Sequence, residues 1–276
     1  MAHPKQSGNA SVRDGATLHY TIHGTAGPKK PRIVLVHSLG MNEVVWDSVV
    51  EALADRAVLL TYDCRGHGAS TKVPGSYQLE MFANDLADLL THVGWESAHV
   101  VGGSLGGSVS LQFAILYPSR VQTLGLIDTT AWYGPEAKER WEWRANEALQ
   151  KGLPGLIDFQ QTRWFTDRFR EEHPERVAPC REAFLANDVS CFAATCRMLG
   201  AFDLRSGLAG LRMPVAILVG VEDYATPPEM ARQLEAGIAG ATLQIIPQAR
   251  HLTFVEHPEV IVEALTKLIG RTGSAA

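Results

Sequence analysis

One stretch of the sequence decides the fold: AHVVGGSLGGSVSLQFAILYP, residues 98–118. It predicts a strand over Ala98–Val101 and a helix over Ser108–Tyr117, which a proline ends. Between them lies the pattern G-x-S-x-G, with Ser104 at its centre. In a sharp strand-to-helix elbow the glycines relieve steric clashes, and the serine hydroxyl is held above the sheet in strained backbone geometry. Ser104 is therefore the candidate nucleophile. A phosphate-binding turn is disfavoured, because such a loop wants a lysine and this one has none.

Outward from this elbow, short apolar segments alternate with segments of helical periodicity. Strands are predicted over Thr17–Ile22, Arg32–Val36, Ala57–Tyr62, Ala98–Val101, Val121–Ile127, Pro214–Val219 and Thr242–Ile246. Helices are predicted over Val44–Ala54, Leu79–Val93, Ser108–Tyr117, Pro228–Ala236 and Pro258–Leu268. Such alternation is typical of an α/β protein whose mostly parallel sheet is flanked by helices on both faces.

The pattern changes between the strand at Val121–Ile127 and the strand at Pro214–Val219. Residues 131–205 hold helical segments and no convincing strand. We interpret them as a helical cap over the carboxyl edge of the sheet, with residues 1–130 and 206–276 as the core. The alternative is a pair of ordinary crossover helices with long loops.

A serine hydroxyl needs a base before it becomes a good nucleophile at neutral pH. Among ten histidines, His251 is the best candidate, because it lies in the loop Pro247–His251 directly after the last predicted strand. His257 precedes a proline that starts the final predicted helix, and it is the weaker alternative. His67 lies in an Arg-Gly-His-Gly turn, which it is expected to hold together.

The third member should be a carboxylate that orients the imidazole and stabilises its charged form. Asp223 fits, since it follows the strand at Pro214–Val219 in a polar loop and gives the chain order Ser, Asp, His. Asp128, directly after the strand at Val121–Ile127, is the open alternative. Glu222 would point away from the site in an extended backbone.

Two backbone amides should stabilise the oxyanion that forms when the serine attacks a carbonyl. One is the N–H of Leu105, the residue after the nucleophile. The other comes from the loop after the predicted strand at Arg32–Val36, where we choose the N–H of Leu39.

The composition limits the other classes of function. The chain has 276 residues, a net charge of −5 and no strongly basic segment, so nucleic-acid binding has little support. Residues Met1–Val12 are polar and lack a signal peptide, and no apolar run reaches membrane-spanning length. The four cysteines show no zinc or disulfide spacing. We expect a cytoplasmic protein with no metal and no cofactor.

Taken together, these motifs resemble the α/β-hydrolase superfamily, and within it the 3-oxoadipate enol-lactonases. The resemblance covers about residues 15–270. It rests on His37–Gly40, Trp46, Tyr62–Ser70, the serine elbow, the Asp223 and His251 loops, Arg163–Thr166 and Asp203–Arg205. It implies the α/β-hydrolase fold with an inserted cap and the hydrolysis of an enol-lactone of aromatic catabolism.

Three residues depart from the pattern of that family. His37 stands where members often have Asn, Gly103 where the residue before the serine is usually bulky, and Arg250 where Gly usually precedes the histidine. Gly103 and Arg250 lie beside the candidate catalytic residues. We therefore expect them to bear on the substrate more than on the class of reaction.

Enol-lactones of this kind carry a free carboxylate, which an arginine fork recognises well. Trp141 and Arg144 share a face of a predicted helix, since they lie three residues apart. Our hypothesis is that Arg144 pairs with the substrate carboxylate while Trp141 forms a wall of the pocket. The Glu/Arg-rich stretch Glu136–Glu147 slightly favours the alternative, an exposed arginine on a surface helix. Arg163 is the second choice for the cation, and Trp164 is expected to contact substrate or to pack the cap onto the core.

The sequence thus predicts a serine hydrolase that opens a small lactone or cleaves a carboxylic ester through an acyl-enzyme. An arylesterase, a carbon–carbon bond hydrolase or a haloperoxidase-like enzyme on the same scaffold are the alternatives. A ligand sensor with little or no turnover is a further one, because a fold alone does not decide function.

Overall fold

The computed structural model describes residues 3–27 and 30–273 of the chain. Within these residues, eight strands form a sheet of order β1-β2-β4-β3-β5-β6-β7-β8. The strands are β1 Lys5–Ser11, β2 Thr17–His23, β3 Arg32–Val36, β4 Val58–Tyr62, β5 Ala98–Gly103, β6 Val121–Ile127, β7 Val215–Gly220 and β8 Thr242–Ile246. Strands β3 to β8 run parallel, and β1 and β2 are antiparallel additions at one edge. The predicted α/β-hydrolase fold class is confirmed.

Helices cover the sheet and join its strands. They are α1 Asp47–Leu53, α2 Leu79–His92, α3 Leu105–Leu116, α4 Ala137–Lys151, α5 Ile157–Trp164, α6 Asp167–Glu172, α7 Pro174–Leu185, α8 Val189–Ala201, α9 Pro228–Gly237, α10 Thr253–Glu256 and α11 Pro258–Gly273. Every residue of β4, β5 and β7 is buried, as expected for parallel strands covered on both faces. No helix among the described residues combines the length and the apolar character that crossing a membrane requires.

Five helices, α4 to α8, lie between β6 and β7, in the segment predicted to be helical. We call Ala137–Ala201 the helical insert. Its helices α4 and α8 pack closely against each other, and no described residue between β6 and β7 forms a strand. The division into a core and a separate cap stays a prediction. The first and last residues of the predicted core, 1–2 and 274–276, lie outside the described part of the chain.

Some predicted elements differ from the structure. Strand β1 was not expected, because its residues are polar and mostly exposed; backbone pairing with β2, from Lys5 opposite His23 to Ser11 opposite Thr17, makes it a strand. The predicted helix over Val44–Ala54 begins as a 3-10 turn at Glu43–Trp46 before α1. Helix α3 begins at Leu105, three residues earlier than predicted. Hydrophobic periodicity does not predict where a helix begins, because caps and turns determine its ends.

Candidate active site

The nucleophile elbow joins β5 to α3. Ser104 has φ 55° and ψ −117°, a conformation that costs energy for any residue with a side chain. A Cβ atom at Gly102 would lie 2.0 Å from the carbonyl oxygen of Gly106, and one at Gly106 would lie 2.0 Å from that of Val36. Only glycine fits at either position. The G-x-S-x-G pattern therefore follows from the close approach of the end of β5, the start of α3 and the end of β3.

Three predicted residues from distant parts of the chain meet here. The Nε2 atom of His251 lies 2.7 Å from the Oγ atom of Ser104. On the other side of the ring, Nδ1 lies 2.8 Å and 3.0 Å from the carboxylate oxygens of Asp223. A carboxylate only accepts hydrogen bonds, so Nδ1 carries the ring proton and Nε2 faces the serine hydroxyl as an acceptor. This chain of hydrogen bonds can move a proton from serine to histidine.

The loop after β7 holds Asp223 in its charged form. The backbone N–H groups of Ala225 and Thr226 donate to Oδ1 at 2.7 and 2.9 Å, and the Thr226 hydroxyl donates to Oδ2 at 2.8 Å. Burial alone would raise the pKa of this carboxyl, but the adjacent His251 and these donors bring the pKa below its ordinary value. A carboxylate at this position stabilises a protonated imidazole.

The alternative acid, Asp128, lies in a different environment. Its Oδ2 accepts from the Thr253 N–H at 2.9 Å and from the Thr253 hydroxyl at 2.7 Å, and its Oδ1 accepts from the Gly220 N–H at 3.2 Å. Burial, and then the charge of Asp223, raise the pKa of Asp128 well above its usual range. The side chain therefore ties α10 to the end of β7, whereas the imidazole Nδ1 bonds to Asp223.

The two other candidate histidines have separate contacts. The ring of His67 lies 3.0 Å from the Arg65 carbonyl oxygen, within the turn that it was expected to hold. His257 contacts the carbonyl oxygen of Gln248 at 3.1 Å and the carboxylate of Glu259 at 3.3 Å. Neither replaces His251 beside the serine. Among the described residues, no cluster of three or more His, Cys, Asp or Glu side chains could hold a metal ion.

The proposed oxyanion donors belong to two segments, the first turn of α3 and the loop after β3. Leu105 is the first residue of α3, so its N–H has no acceptor within the helix. It lies at the N-terminal end of the helix, where the helix dipole is positive and favours a negative charge. Leu39, in the loop after β3, lines the same cavity as Ser104. The hydroxyl of Ser38 donates to the carbonyl oxygen of Gly103 at 3.2 Å, which ties this loop to the elbow.

A cavity of about 450 Å³ opens above Ser104 and His251. Its far walls come from the helical insert, and the predicted substrate-binding residues Trp141, Arg144 and Trp164 all line it. The guanidinium carbon of Arg144 lies 5.1 Å from the centroid of the Trp141 ring, so the two residues do share a face of α4. Trp164 is buried and also packs edge-on against aromatic neighbours in the insert. Their binding of substrate stays a prediction.

Arg144 is not the exposed surface arginine of the alternative interpretation. Its Nη2 donates to the side-chain oxygen of the buried Gln160 at 2.8 Å. Its Nε is buried and has no hydrogen-bond partner among the described residues. What bears on a ligand is that Arg144 lines the cavity, where its charged guanidinium can pair with an anionic or carbonyl group.

Several lining residues were not singled out in the sequence. They are Tyr133, Arg140, Leu156, Phe159, Gln160, Tyr224 and Met230. They come from the insert, from the loops after β6 and β7 and, for Met230, from α9. No local motif marks them, because their position depends on how α4 and α5 pack over the sheet. The second-choice cation, Arg163, also lines the cavity, and its Nη2 donates to the Tyr224 carbonyl at 3.3 Å.

The three departures from the family pattern each have a visible consequence. Nδ1 of His37 lies 2.8 Å from the Ser38 carbonyl, and Nε2 accepts from the Cys64 N–H at 2.9 Å. At Gly103, a Cβ would lie 2.4 Å from Cε1 of Phe254, so the phenyl ring of α10 fills the space that a bulky residue would occupy. The absence of a side chain at 103 therefore does not enlarge the cavity. Arg250 contacts the helical insert.

The comparisons with known proteins agree with this fold. Residues 31–258 match the family described as the alpha/beta hydrolase fold. The chain is 30% identical over 254 residues to 3-oxoadipate enol-lactonase 2 of Acinetobacter baylyi, covering 92% of this chain and 93% of that protein. The crystal structure of the enol-lactonase from Burkholderia xenovorans LB400 is 31% identical with a TM-score of 0.90, covering 95% of this chain and 100% of that one. A thermophilic esterase from Thermogutta terrifontis is 28% identical with a TM-score of 0.88, covering 97% and 99%.

The family match extends from just before β3 to the start of α11, and so it includes the elbow and the loops of Asp223 and His251. The similarity to enol-lactonases confirms the resemblance first seen in the sequence motifs. From its fold, its elbow and these matches, we conclude that the chain belongs to the alpha/beta hydrolase family.

Proposed function

We propose that this protein is a serine hydrolase that opens a small lactone or cleaves a carboxylic ester through an acyl-enzyme. The observation that carries the proposal is the chain of hydrogen bonds from Ser104 through His251 to Asp223 at the base of a cavity. Such a constellation is recognised by its geometry and not by its position in the sequence.

In the first half of the reaction the Oγ atom of Ser104 attacks the substrate carbonyl carbon while Nε2 of His251 takes the hydroxyl proton. The carbonyl oxygen becomes an oxyanion, which the N–H groups of Leu105 and Leu39 stabilise. When this intermediate collapses, the carbon–oxygen bond to the leaving group breaks, and that oxygen receives the proton from His251. In a lactone the leaving group stays attached to the acyl-enzyme, and an enol released in this way becomes a ketone.

In the second half, a water molecule gives a proton to His251 and attacks the acyl carbonyl. The bond to Ser104 then breaks, and the serine oxygen recovers the proton. Asp223 keeps the imidazole in the required tautomer and stabilises its charged form in both halves. The products are a free carboxylic acid and a hydroxyl or keto group, and the reaction uses only water.

The substrate we favour is an enol-lactone that carries a carboxylate. Two observations support this choice: the named relatives at 30% and 31% identity are enol-lactonases, and the cationic side chain of Arg144 lines the cavity. Trp141 lies beside that guanidinium and would pack against the lactone ring.

The test compares kcat/KM for 3-oxoadipate enol-lactone and its neutral methyl ester. Ser104→Ala should reduce kcat about 10⁴-fold or more on any substrate that the protein hydrolyses. Arg144→Ala should raise KM for the anion about 10- to 100-fold, the equivalent of one charge-assisted hydrogen bond, and change KM for the methyl ester less than about threefold. Arg197→Ala is the matched control, since Arg197 is a partly exposed arginine of the insert paired with Glu142.

Two results would contradict the proposal at different levels. Full activity of Ser104→Ala would remove the serine mechanism. Equal losses on the anion and the methyl ester in Arg144→Ala would remove the carboxylate site but leave the serine hydrolase. A burst of product without steady turnover would instead fit a protein that senses its ligand.

A second candidate, an esterase for larger neutral substrates, is favoured by the size of the cavity. Its volume of about 450 Å³ lies in the range of sites that hold drug-sized ligands, which are larger than a lactone of about ten non-hydrogen atoms. Trp143 and Phe159, which line its walls, are 65% and 59% exposed and would suit an aromatic group. Higher kcat/KM for aryl esters than for the enol-lactone would select this candidate.

A further inference from the structure

Arg250, the residue before His251, does not point into solvent. Its Nη1 lies 2.9 Å from each of three acceptors in the helical insert: the carbonyl oxygens of Thr162 and Phe165 and the Oδ1 atom of Asp167. The two carbonyls belong to the end of α5 and the residue after it, where helix carbonyls lack partners and a cation is favoured. The side chain of Arg250 is only 14% exposed.

The same two segments are joined again on the other side of His251. The N–H of Leu252 donates to the carbonyl oxygen of Trp164 at 3.1 Å. Glu256 accepts from the Arg250 N–H through one carboxylate oxygen and from the Thr166 N–H through the other, both at 3.0 Å. The backbone on each side of the candidate base is therefore bonded, directly or through one side chain, to the turn between α5 and α6.

Arg250 also contacts the loop that carries Asp223, on both sides of that residue. Its Nε lies 3.5 Å from a carboxylate oxygen of Glu222. Its guanidinium carbon lies 5.6 Å from the ring centroid of Tyr224, and the guanidinium carbon of Arg163 lies 4.8 Å from the same centroid. One side chain thus links the histidine loop, the aspartate loop and the insert.

We propose that Arg250 is a positioning residue that holds these three segments in the arrangement that aims His251 at Ser104. This inference rests on the proposed serine mechanism. The ion pair with Asp167 alone would contribute little, since Asp167 is 68% exposed. The extended guanidinium carries the role: Nη1 alone reaches both carbonyls and Asp167, while Nε and the plane of the group lie beside Glu222 and Tyr224. The compact ammonium of a lysine could replace the contacts to the insert but not those to the aspartate loop at the same time.

The contacts of Arg250 also link the wall of the cavity to the histidine loop. Arg163 and Trp164, which line the cavity, lie between the two carbonyls that Arg250 binds. The cavity wall and the imidazole are consequently placed by the same guanidinium.

The experiment compares Arg250→Ala and Arg250→Lys with Arg168→Ala. Arg168 lies on α6, is 70% exposed and pairs with Glu172 of the same helix. For each variant, kcat and KM are measured on the best substrate, and amide hydrogen exchange is followed in residues 162–167 and 249–256. We expect Arg250→Ala to lower kcat about 10- to 100-fold, as a small misplacement of a reacting group does, with KM within about threefold.

Exchange should become faster in both segments of Arg250→Ala, and Arg250→Lys should recover part of the lost kcat, while Arg168→Ala should match the wild type. Unchanged kcat, a change in KM alone, or faster exchange in only one segment would overturn the proposal. The exchange result does not depend on turnover. It therefore decides whether Arg250 joins the two segments even if Ser104→Ala shows that the serine mechanism is wrong.

Discussion

Replacing Gly103 by alanine should destabilise the protein although alanine is the smallest possible change. A Cβ at this position would lie 2.4 Å from Cε1 and 2.7 Å from Cζ of Phe254, where carbon atoms prefer about 3.5–4.0 Å. The phenyl ring cannot retreat freely, because it is fully buried and stacks on Trp46 with a centroid separation of 4.4 Å.

Overpacking of this kind typically costs about 1–3 kcal/mol. Taking about 2 kcal/mol for Gly103→Ala, Tm should fall by about 3–4 °C in a chain of this size. The strain should also reach the site, because the Gly103 carbonyl accepts the hydrogen bond of Ser38 and precedes Ser104. We therefore expect kcat to fall together with the free energy of unfolding.

The assay is thermal or urea unfolding together with kcat/KM. Gly75→Ala is the matched control, since nothing lies within 4 Å of a Cβ added there. Phe254→Ala alone should cost about 3–5 kcal/mol, but Gly103→Ala should add little further loss in the Phe254→Ala background, because the clash is gone. The reasoning is refuted if Gly103→Ala is as stable as Gly75→Ala, or if the two substitutions at 103 and 254 are additive.

Two further predictions concern buried titratable groups. Asp223→Asn should lower kcat about 10³- to 10⁴-fold, whereas Asp128→Asn should cost less than about tenfold, because Asp128 binds Thr253 and has a raised pKa; the reverse ranking in steady-state kinetics would make Asp128 the orienting acid. Burial lowers the pKa of His37 from its ordinary 6.5 to about 4, and its Nε2 is already occupied by the Cys64 N–H. The stability that this neutral ring contributes is complete above about pH 6.5 and is lost as the pH falls toward 4. When the pH is lowered from 7.5 to 5, the free energy of unfolding, measured with urea, should therefore fall by about 2 kcal/mol less for His37→Asn than for the wild type. An equal fall in both proteins would contradict this.

Much of the fold could be predicted because its signals are local. The elbow is a strand, a glycine-flanked serine and a helix within one stretch, and β3 and β6 have the bounds that apolar runs predicted. Strand β1 escaped prediction because its polar residues bury little, and only backbone pairing with β2 defines it. The candidate His251 could be chosen because parallel strands bring the loops after them to one edge of the sheet.

The choice between the two aspartates required the folded chain. Asp128 and Asp223 both follow buried parallel strands that are neighbours in the sheet, so no local pattern separates them. The structure places Asp223 beside the imidazole and Asp128 beside Thr253. Their catalytic roles stay predictions until the variants are measured.

What the sequence by itself determined is the α/β class, the elbow at Ser104 and the loop that carries His251, because each depends on residues adjacent in the chain. Only the tertiary structure decided which carboxylate faces the histidine, what fills the space beside Gly103 and where Arg250 binds. These depend on contacts between segments up to about 150 residues apart, such as Gly103 with Phe254. Differences of a few tenths of an ångström between packed atoms decide whether such contacts fit, and no spacing along the chain encodes them.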